Sequence, residues 1–227
     1  YDGTDARLIG SFYAFDPTFT GGVSVASADV DSDGVADIVA GAGAGGGPHV
    51  KVFSGQSGDV IRSFFAFDAT FTGGVQVGSA DANHDGYADI LVGAGAGGGP
   101  RVSLFDGDTG EVLQNFFAFE STFTGGVSVA LADLAGDREL DIVVGAGPGG
   151  GPHVRTFFAD GSERSSFFAF DDDFQGGVYV GSADLDGNRL DDLVVGGSMI
   201  RGYEGSSLTQ TFESDHAGVG ASVAGAL

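Results

Sequence analysis

The tripeptide Gly-Gly-Val recurs at residues 21, 73, 125 and 176, and a phenylalanine stands two positions before each copy, at Phe19, Phe71, Phe123 and Phe174. The spacings are 52, 52 and 51 residues, and the text between the marks recurs with them. Phe64-Phe65-Ala66-Phe67 returns as Phe116-Phe117-Ala118-Phe119 and Phe167-Phe168-Ala169-Phe170. Gly45-Gly46-Gly47-Pro48 returns as Gly97-Gly98-Gly99-Pro100 and Gly149-Gly150-Gly151-Pro152, and only the fourth unit shortens this stretch, to Gly196-Gly197-Ser198-Met199. One structural unit repeated in register must bury its apolar face against its own copies, so the chain is an array.

Each unit holds four short apolar or alternating runs separated by Gly, Asp or Pro, as in Val23 to Ala28, Ile38 to Gly41, His49 to Phe53 and Val60 to Phe67. Runs of this kind are strands, here called A, B, C and D. Strand A carries small side chains on both faces, which suits the crowded axis of a ring, and strand D carries bulky phenylalanines that can fill the widening gap between units. The fold class expected is all-β, a β-propeller of four-stranded blades. A two-sheet sandwich fits less well, since it would not repeat its sequence four times. Composition agrees: 43 glycines without a three-residue period exclude collagen, and 20 phenylalanines within 42% hydrophobic residues can supply a core.

Aligning Tyr1 on Phe105 makes residues 1–22 the outer strands of a partial unit. Four blades follow at 23–74, 75–126, 127–177 and 178–218, and residues 219–227 match the inner strand of a further one. Either further blades or neighbouring copies would then complete the ring. The start, Tyr1-Asp2-Gly3, has neither an initiating Met nor a basic-then-apolar signal, so the chain reads as a processed or excerpted piece.

Nine basic against 32 acidic side chains give a net charge of −23, which excludes a phosphate-neutralising surface and with it nucleic acid, and disfavours anionic membranes. No apolar run reaches the roughly 18 residues of a membrane span. Without cysteine there is neither a disulfide framework nor a thiolate zinc site.

The connection from A to B carries the chemistry. In the first unit Asp29, Asp31, Asp33 and Asp37 stand at loop positions 1, 3, 5 and 9, with Gly34 at position 6. That spacing wraps oxygen ligands around a hard cation, and six to eight oxygens suit calcium better than magnesium. The second unit repeats it as Asp81, Asn83, Asp85, Gly86 and Asp89. In the third, Asp133, Asp137 and Asp141 remain, but Ala135 replaces the ligand at position 3 and Arg138 the glycine. The fourth keeps Asp184, Asp186, Asn188 and Asp192, with Arg189 at position 6, so its turn is expected to be compromised although its ligands survive. An EF-hand is excluded, because position 12 is Ala40, Val92, Val144 or Val195 inside a strand, where a bidentate Glu would be required.

These residues resemble the FG-GAP repeats of integrin alpha-subunit propellers and their bacterial surface and secreted relatives, sometimes grouped with VCBS-type repeats. Phe19-Thr20-Gly21-Gly22, with Gly41-Ala42-Gly43 and Pro48, corresponds to the Phe-Gly and Gly-Ala-Pro elements, and Asp29 to Asp37 to the calcium loop. The resemblance implies two to four Ca2+ ions in the A–B loops, each also held by the main-chain carbonyl at position 7, which here would be Val35, Tyr87 and Leu190. It implies a non-enzymatic extracellular module, secreted or on the cell surface, for adhesion, ligand binding or scaffolding, with a protein or carbohydrate bound opposite calcium. The alternative is the propeller part of a secreted carbohydrate-active enzyme or lectin. No catalytic set is suggested by spacing. The glycine runs lack the Gly-Lys-Ser/Thr and helix of a phosphate loop, and His49, Arg101 and His153, which follow them, read as structural.

Overall fold

The computed structural model describes residues 4–5 and 7–214. Those residues form sixteen strands and no helix. Blade 1 comprises β1 (Val23–Ala28), β2 (Asp37–Ala42), β3 (His49–Phe53) and β4 (Val60–Phe65). Blade 2 comprises β5 (Val75–Ala80), β6 (Asp89–Ala94), β7 (Arg101–Phe105) and β8 (Val112–Phe117). Blade 3 holds β9 (Val127–Ala132), β10 (Asp141–Ala146), β11 (His153–Phe157) and β12 (Glu163–Phe168), and blade 4 holds β13 (Tyr179–Ala183), β14 (Asp192–Gly196), β15 (Ile200–Tyr203) and β16 (Gln210–Ser214). Each blade is an antiparallel meander whose strands lie in sequence order. The inner strands β1, β5, β9 and β13 pack successively against one another, so the sheets are the blades of a propeller. The expected fold class stands; the inner strand read at 219–227 lies outside the described residues.

Core formation follows from the face each residue takes. Strand B presents Gly41, Gly93 or Gly145 to the next blade, and a Cβ there would meet Val75 and Val77, Val127 and Val129, or Val178 at 3.0 Å or less. The glycines thus let valines of the following blade settle against the sheet. Further out, Phe64 meets Phe105, Phe116 meets Phe157, and Phe167 meets Tyr203, with ring centroids 4.8–5.2 Å apart. The aromatics of strand D therefore fill the gap between blades, as their spacing predicts.

Strands C and D of every blade carry a β-bulge, with Ile61, Leu113, Arg164 or Thr211 as the extra residue. On one face the A–B loop touches the C–D turn, because the Gly55 and Gly107 amides donate to Asp37 and Asp89. On the other the B–C turn touches the D–A loop, where the amides of Gly45, Gly97 and Gly149 donate to the carbonyls of Thr72, Thr124 and Gln175.

Candidate metal centre

All four A–B loops share one backbone path. Two residues in each take the left-handed conformation, at positions 4 and 6: Ser32 and Gly34, His84 and Gly86, Gly136 and Arg138, Gly187 and Arg189. This corrects the expectation that arginine at position 6 spoils the turn. In the third and fourth loops glycine has moved to position 4, so one strain-free left-handed residue remains per loop, and Arg138 and Arg189 adopt φ of 73° and 72°.

The path gathers carboxylates. Oxygens of Asp29, Asp31 and Asp37 lie within 4.8 Å of one another, and so do those of Asp184, Asp186 and Asp192. Each trio offers hard oxygen donors of like charge around one point, a donor set that suits calcium. Asp31 is raised above the usual carboxylate range by partial desolvation and by the neighbouring charges of Asp37, Asp33 and Asp29. Asp33 and Asn188 sit at position 5 in the same two loops, and their side chains accept from the amides of Val35 and Leu190.

Position 9 has a second task. Asp37 is fully buried and accepts from the Val30 and Gly55 amides at 2.8 and 2.9 Å. Asp89 does the same with Ala82 and Gly107, and Asp192 with Leu185 and, at 3.4 Å, Gly205. The residue staples the A–B loop to the C–D turn. Burial pushes Asp89 up to about 6, and the two amide hydrogen bonds oppose that shift.

In the second loop the Asn83 amide group donates to Asp85 and to Asp106, and its carbonyl accepts from the Asp85 amide. Asp81, Asp85 and Asp89 are not drawn into a trio as tight as those of the first and fourth loops. Asp106, at the start of the C–D turn, is a neighbour that loop spacing alone does not reveal.

The third loop has a different occupant. Its C–D turn has five residues, 158–162, where the others have six, and no glycine amide follows Phe157 in the place of Gly55, Gly107 and Gly205. Arg164, the bulge residue of β12, instead brings its guanidinium onto the buried Asp141 carboxylate. Burial pushes Asp141 up to about 6 and Arg164 opposes that. A side-chain cation therefore sits against the position-9 carboxylate of this loop, and Ala135 contributes no ligand. Neighbouring loops are joined as well: the Ala88 amide donates to the Asp29 carbonyl at 2.8 Å, and Asp191 accepts from the Asp133 amide at 2.8 Å.

With this geometry in view, comparison identifies the repeat. Residues 81–144 match the model of the FG-GAP-like repeat family, and the matched text recurs in register through the other blades. The chain is a β-propeller with an FG-GAP-like repeat. No curated protein sequence matches it. Among solved structures the propeller is similar to the rhamnogalacturonan lyase YesW (TM-score 0.57, 14% identity, 84% of this chain and 42% of that one). It is also similar to the exotype rhamnogalacturonan lyase YesX (TM-score 0.59, 16% identity, 83% and 40%). A chain of the mitotic checkpoint complex matches with TM-score 0.55 and 12% identity over 86% of this chain and 52% of that one. At such identities the likeness is one of fold, and this propeller spans less than half the length of the two lyases.

Proposed function

We propose that the chain is a calcium-stabilised, non-enzymatic extracellular module, secreted or displayed at a cell surface, that presents a protein or carbohydrate ligand on the face opposite its metal loops. The observation that carries the calcium reading is the convergence of Asp29, Asp31 and Asp37, repeated by Asp184, Asp186 and Asp192 at the same loop positions in the last blade of the array. In these two loops calcium would be held by positions 1, 3, 5 and 9, with the position-7 carbonyls of Val35 and Leu190 completing the cage, as the family resemblance implies. The second loop, with Asp81, Asn83, Asp85, Tyr87 and Asp89, ranks below them because Asn83 must turn its amide away from Asp85. The third ranks last because Arg164 already neutralises Asp141. Sites of this open kind fill at the millimolar calcium found outside cells, which supports the localisation.

The ligand face carries the D–A loops. Asp171-Asp172-Asp173 breaks the repeat there, and beside it the shortened B–C turn of blade 4 leaves a cavity of about 330 Å³ lined by Phe170, Asp171, Asp173, Phe174, Met199 and Arg201. Melting curves in calcium and in chelator test the proposal. At 100 times the dissociation constant each filled site adds about 2.7 kcal/mol if the unfolded chain does not bind, so a clear upward shift is expected, and identical midpoints contradict it.

The second reading, a propeller part of a carbohydrate-active enzyme or lectin, is favoured by the likeness to the two lyases and by a cavity of about 260 Å³ at the axis. Backbone of glycine turns lines it, with Gln76, Ser128 and Tyr179 as polar side chains. Turnover of a rhamnogalacturonan by this chain would establish that reading over the first.

A further inference from the structure

The residue that opens the C–D turn changes in step with the A–B loop of its blade. It is Ser54, Asp106, Phe158 and Glu204 in blades 1 to 4, and the four are equivalent, since their amides donate to the carbonyls of Asp59, Glu111, Ser162 and Thr209 across the turn. The first loop has four carboxylates of its own, and its turn opens on an uncharged serine. The second loop has lost one at Asn83 and the fourth has lost one at Asn188, and in both blades the turn opens on an acid. Blades 1, 2 and 4 therefore each carry four carboxylates between loop and turn, whereas blade 3, with Phe158, carries three.

In blade 2 the added acid reaches the loop. Asp106 Oδ1 accepts from the Thr109 amide at 2.7 Å, the capping task that the Ser54 hydroxyl performs for the Gln56 and Ser57 amides in blade 1. Oδ2, which has no counterpart in serine, accepts from the Asn83 side-chain nitrogen at 3.2 Å. The same nitrogen donates to Asp85 Oδ2 at 2.9 Å, so one amide group stands between two carboxylates of different elements. The charges of Asp85 and Asp106 both bear on the buried Asp89, and Asp106 is itself only 9% exposed. Capping the turn requires one oxygen and no charge, and burying a charge is unfavourable unless it is paired. The turn alone therefore does not account for an acid at this position.

We propose that Asp106 is a ligand of the second-loop cation and supplies the carboxylate that Asn83 lacks. The inference rests on the calcium reading above and extends it to a residue outside the loop. Without a cation, the Asn83 NH2 group bridges Asp85 and Asp106. When the ion binds, the amide turns about its last torsion, which is soft, and its carbonyl replaces the NH2 group. Asp81, Asp85, Asp89 and Asp106 then give the second loop as many charges as the first.

Calcium calorimetry on the Asp31→Ala/Asp186→Ala chain, in which the first and fourth loops are silenced, reads the second loop alone. Terbium luminescence excited through Tyr87, at position 7 of that loop, reads it in the otherwise unsubstituted chain. Asparagine at position 106 keeps an oxygen for the Thr109 amide, and because affinity follows ligand charge count, Asp106→Asn is expected to weaken second-loop binding about tenfold or more. Its melting midpoint in chelator should change little. Asn83→Asp combined with Asp106→Ser copies the arrangement of blade 1 and should restore the affinity. Unchanged second-loop affinity in Asp106→Asn overturns the proposal and leaves the calcium reading standing, as does a second loop that stays empty while the first and fourth fill. A loss of affinity that the combined variant does not recover, with a lower midpoint in chelator, makes Asp106 a turn cap only and also overturns it. Absence of binding in every loop overturns both readings.

Discussion

Asp141 and Arg164 show how one side chain can neutralise the buried carboxylate of an acidic loop. A guanidinium on a bulge reaches a buried carboxylate in the one blade whose C–D turn lacks the glycine amide and whose loop lacks a ligand at position 3. Breaking a buried pair by removing one partner costs about 3–5 kcal/mol, because the remaining charge stays desolvated. Arg164→Gln is therefore expected to lower the melting midpoint strongly in calcium and in chelator alike, and adding Asp141→Asn should recover much of the loss. If calcium alone rescues Arg164→Gln fully, the third loop is a metal site and the assignment of its cation is wrong. Asp89 gives a pH signature. Its folded-state value of about 6 lies above the ordinary 3.8, so the folded chain holds the proton more tightly than the unfolded one does. Stability is then lost as pH rises from about 4 to about 6 and changes little above that. Measured against Asp89→Asn in chelator, the unsubstituted chain should lose midpoint across that window; a gain across it would contradict the burial argument. Loop spacing alone picks out the two acidic trios, because carboxylates at positions 1, 3 and 9 of this backbone path converge on one point. It does not reveal Arg164 or Asp106, since both reach the loops from strand ends remote in sequence.

At the level of the strand, glycines and small residues decide where blades approach. Gly93→Ala would press a methyl group to within 2.9 Å of Val127 and Val129, and overpacking of that kind costs about 1–3 kcal/mol. Thermal melting of Gly93→Ala should show the loss, and a neutral outcome would mean that blades 2 and 3 separate more easily than their packing implies. Strand C carries a cation at Lys51, Arg155 and Arg201, and blade 2 has Ser103 in its place, fully buried with no hydrogen-bond partner for its hydroxyl. There Arg101 takes over the stacking, with its guanidinium 5.8 Å from the Phe67 ring centre. A buried hydroxyl without a partner is unfavourable by about 1–3 kcal/mol, so Ser103→Ala is expected to raise the midpoint. Strand positions were legible in the sequence: A and C have the residues read for them, B gains one residue at each end, and D ends two residues early at Phe65. The sequence reading of the turns failed at Arg138 and Arg189 for a local reason. A left-handed pair at positions 4 and 6 needs only one glycine, and that glycine can occupy either place.

For the whole molecule, a net charge of −23 means that like charges repel, and bound cations would relieve that repulsion. Three ions would bring the charge to about −17, and the relief falls where carboxylates crowd, in the A–B loops. The proposed ligand face is the opposite one, so charge reversal at Asp171, Asp172 and Asp173 should change partner binding and leave calcium stoichiometry and melting temperature nearly unaltered. Loss of calcium by that variant would contradict the separation of faces. The most direct test of the metal assignment is a calorimetric titration of the metal-free chain with calcium. Two tighter ions, lost one at a time in Asp31→Ala and Asp186→Ala, and a weaker third lost in Asp85→Ala are expected, with Asp137→Ala leaving the stoichiometry unchanged. A titration without binding heat at millimolar calcium and without a shift in melting midpoint, or one in which the Asp137 loop binds tightest, would contradict the account.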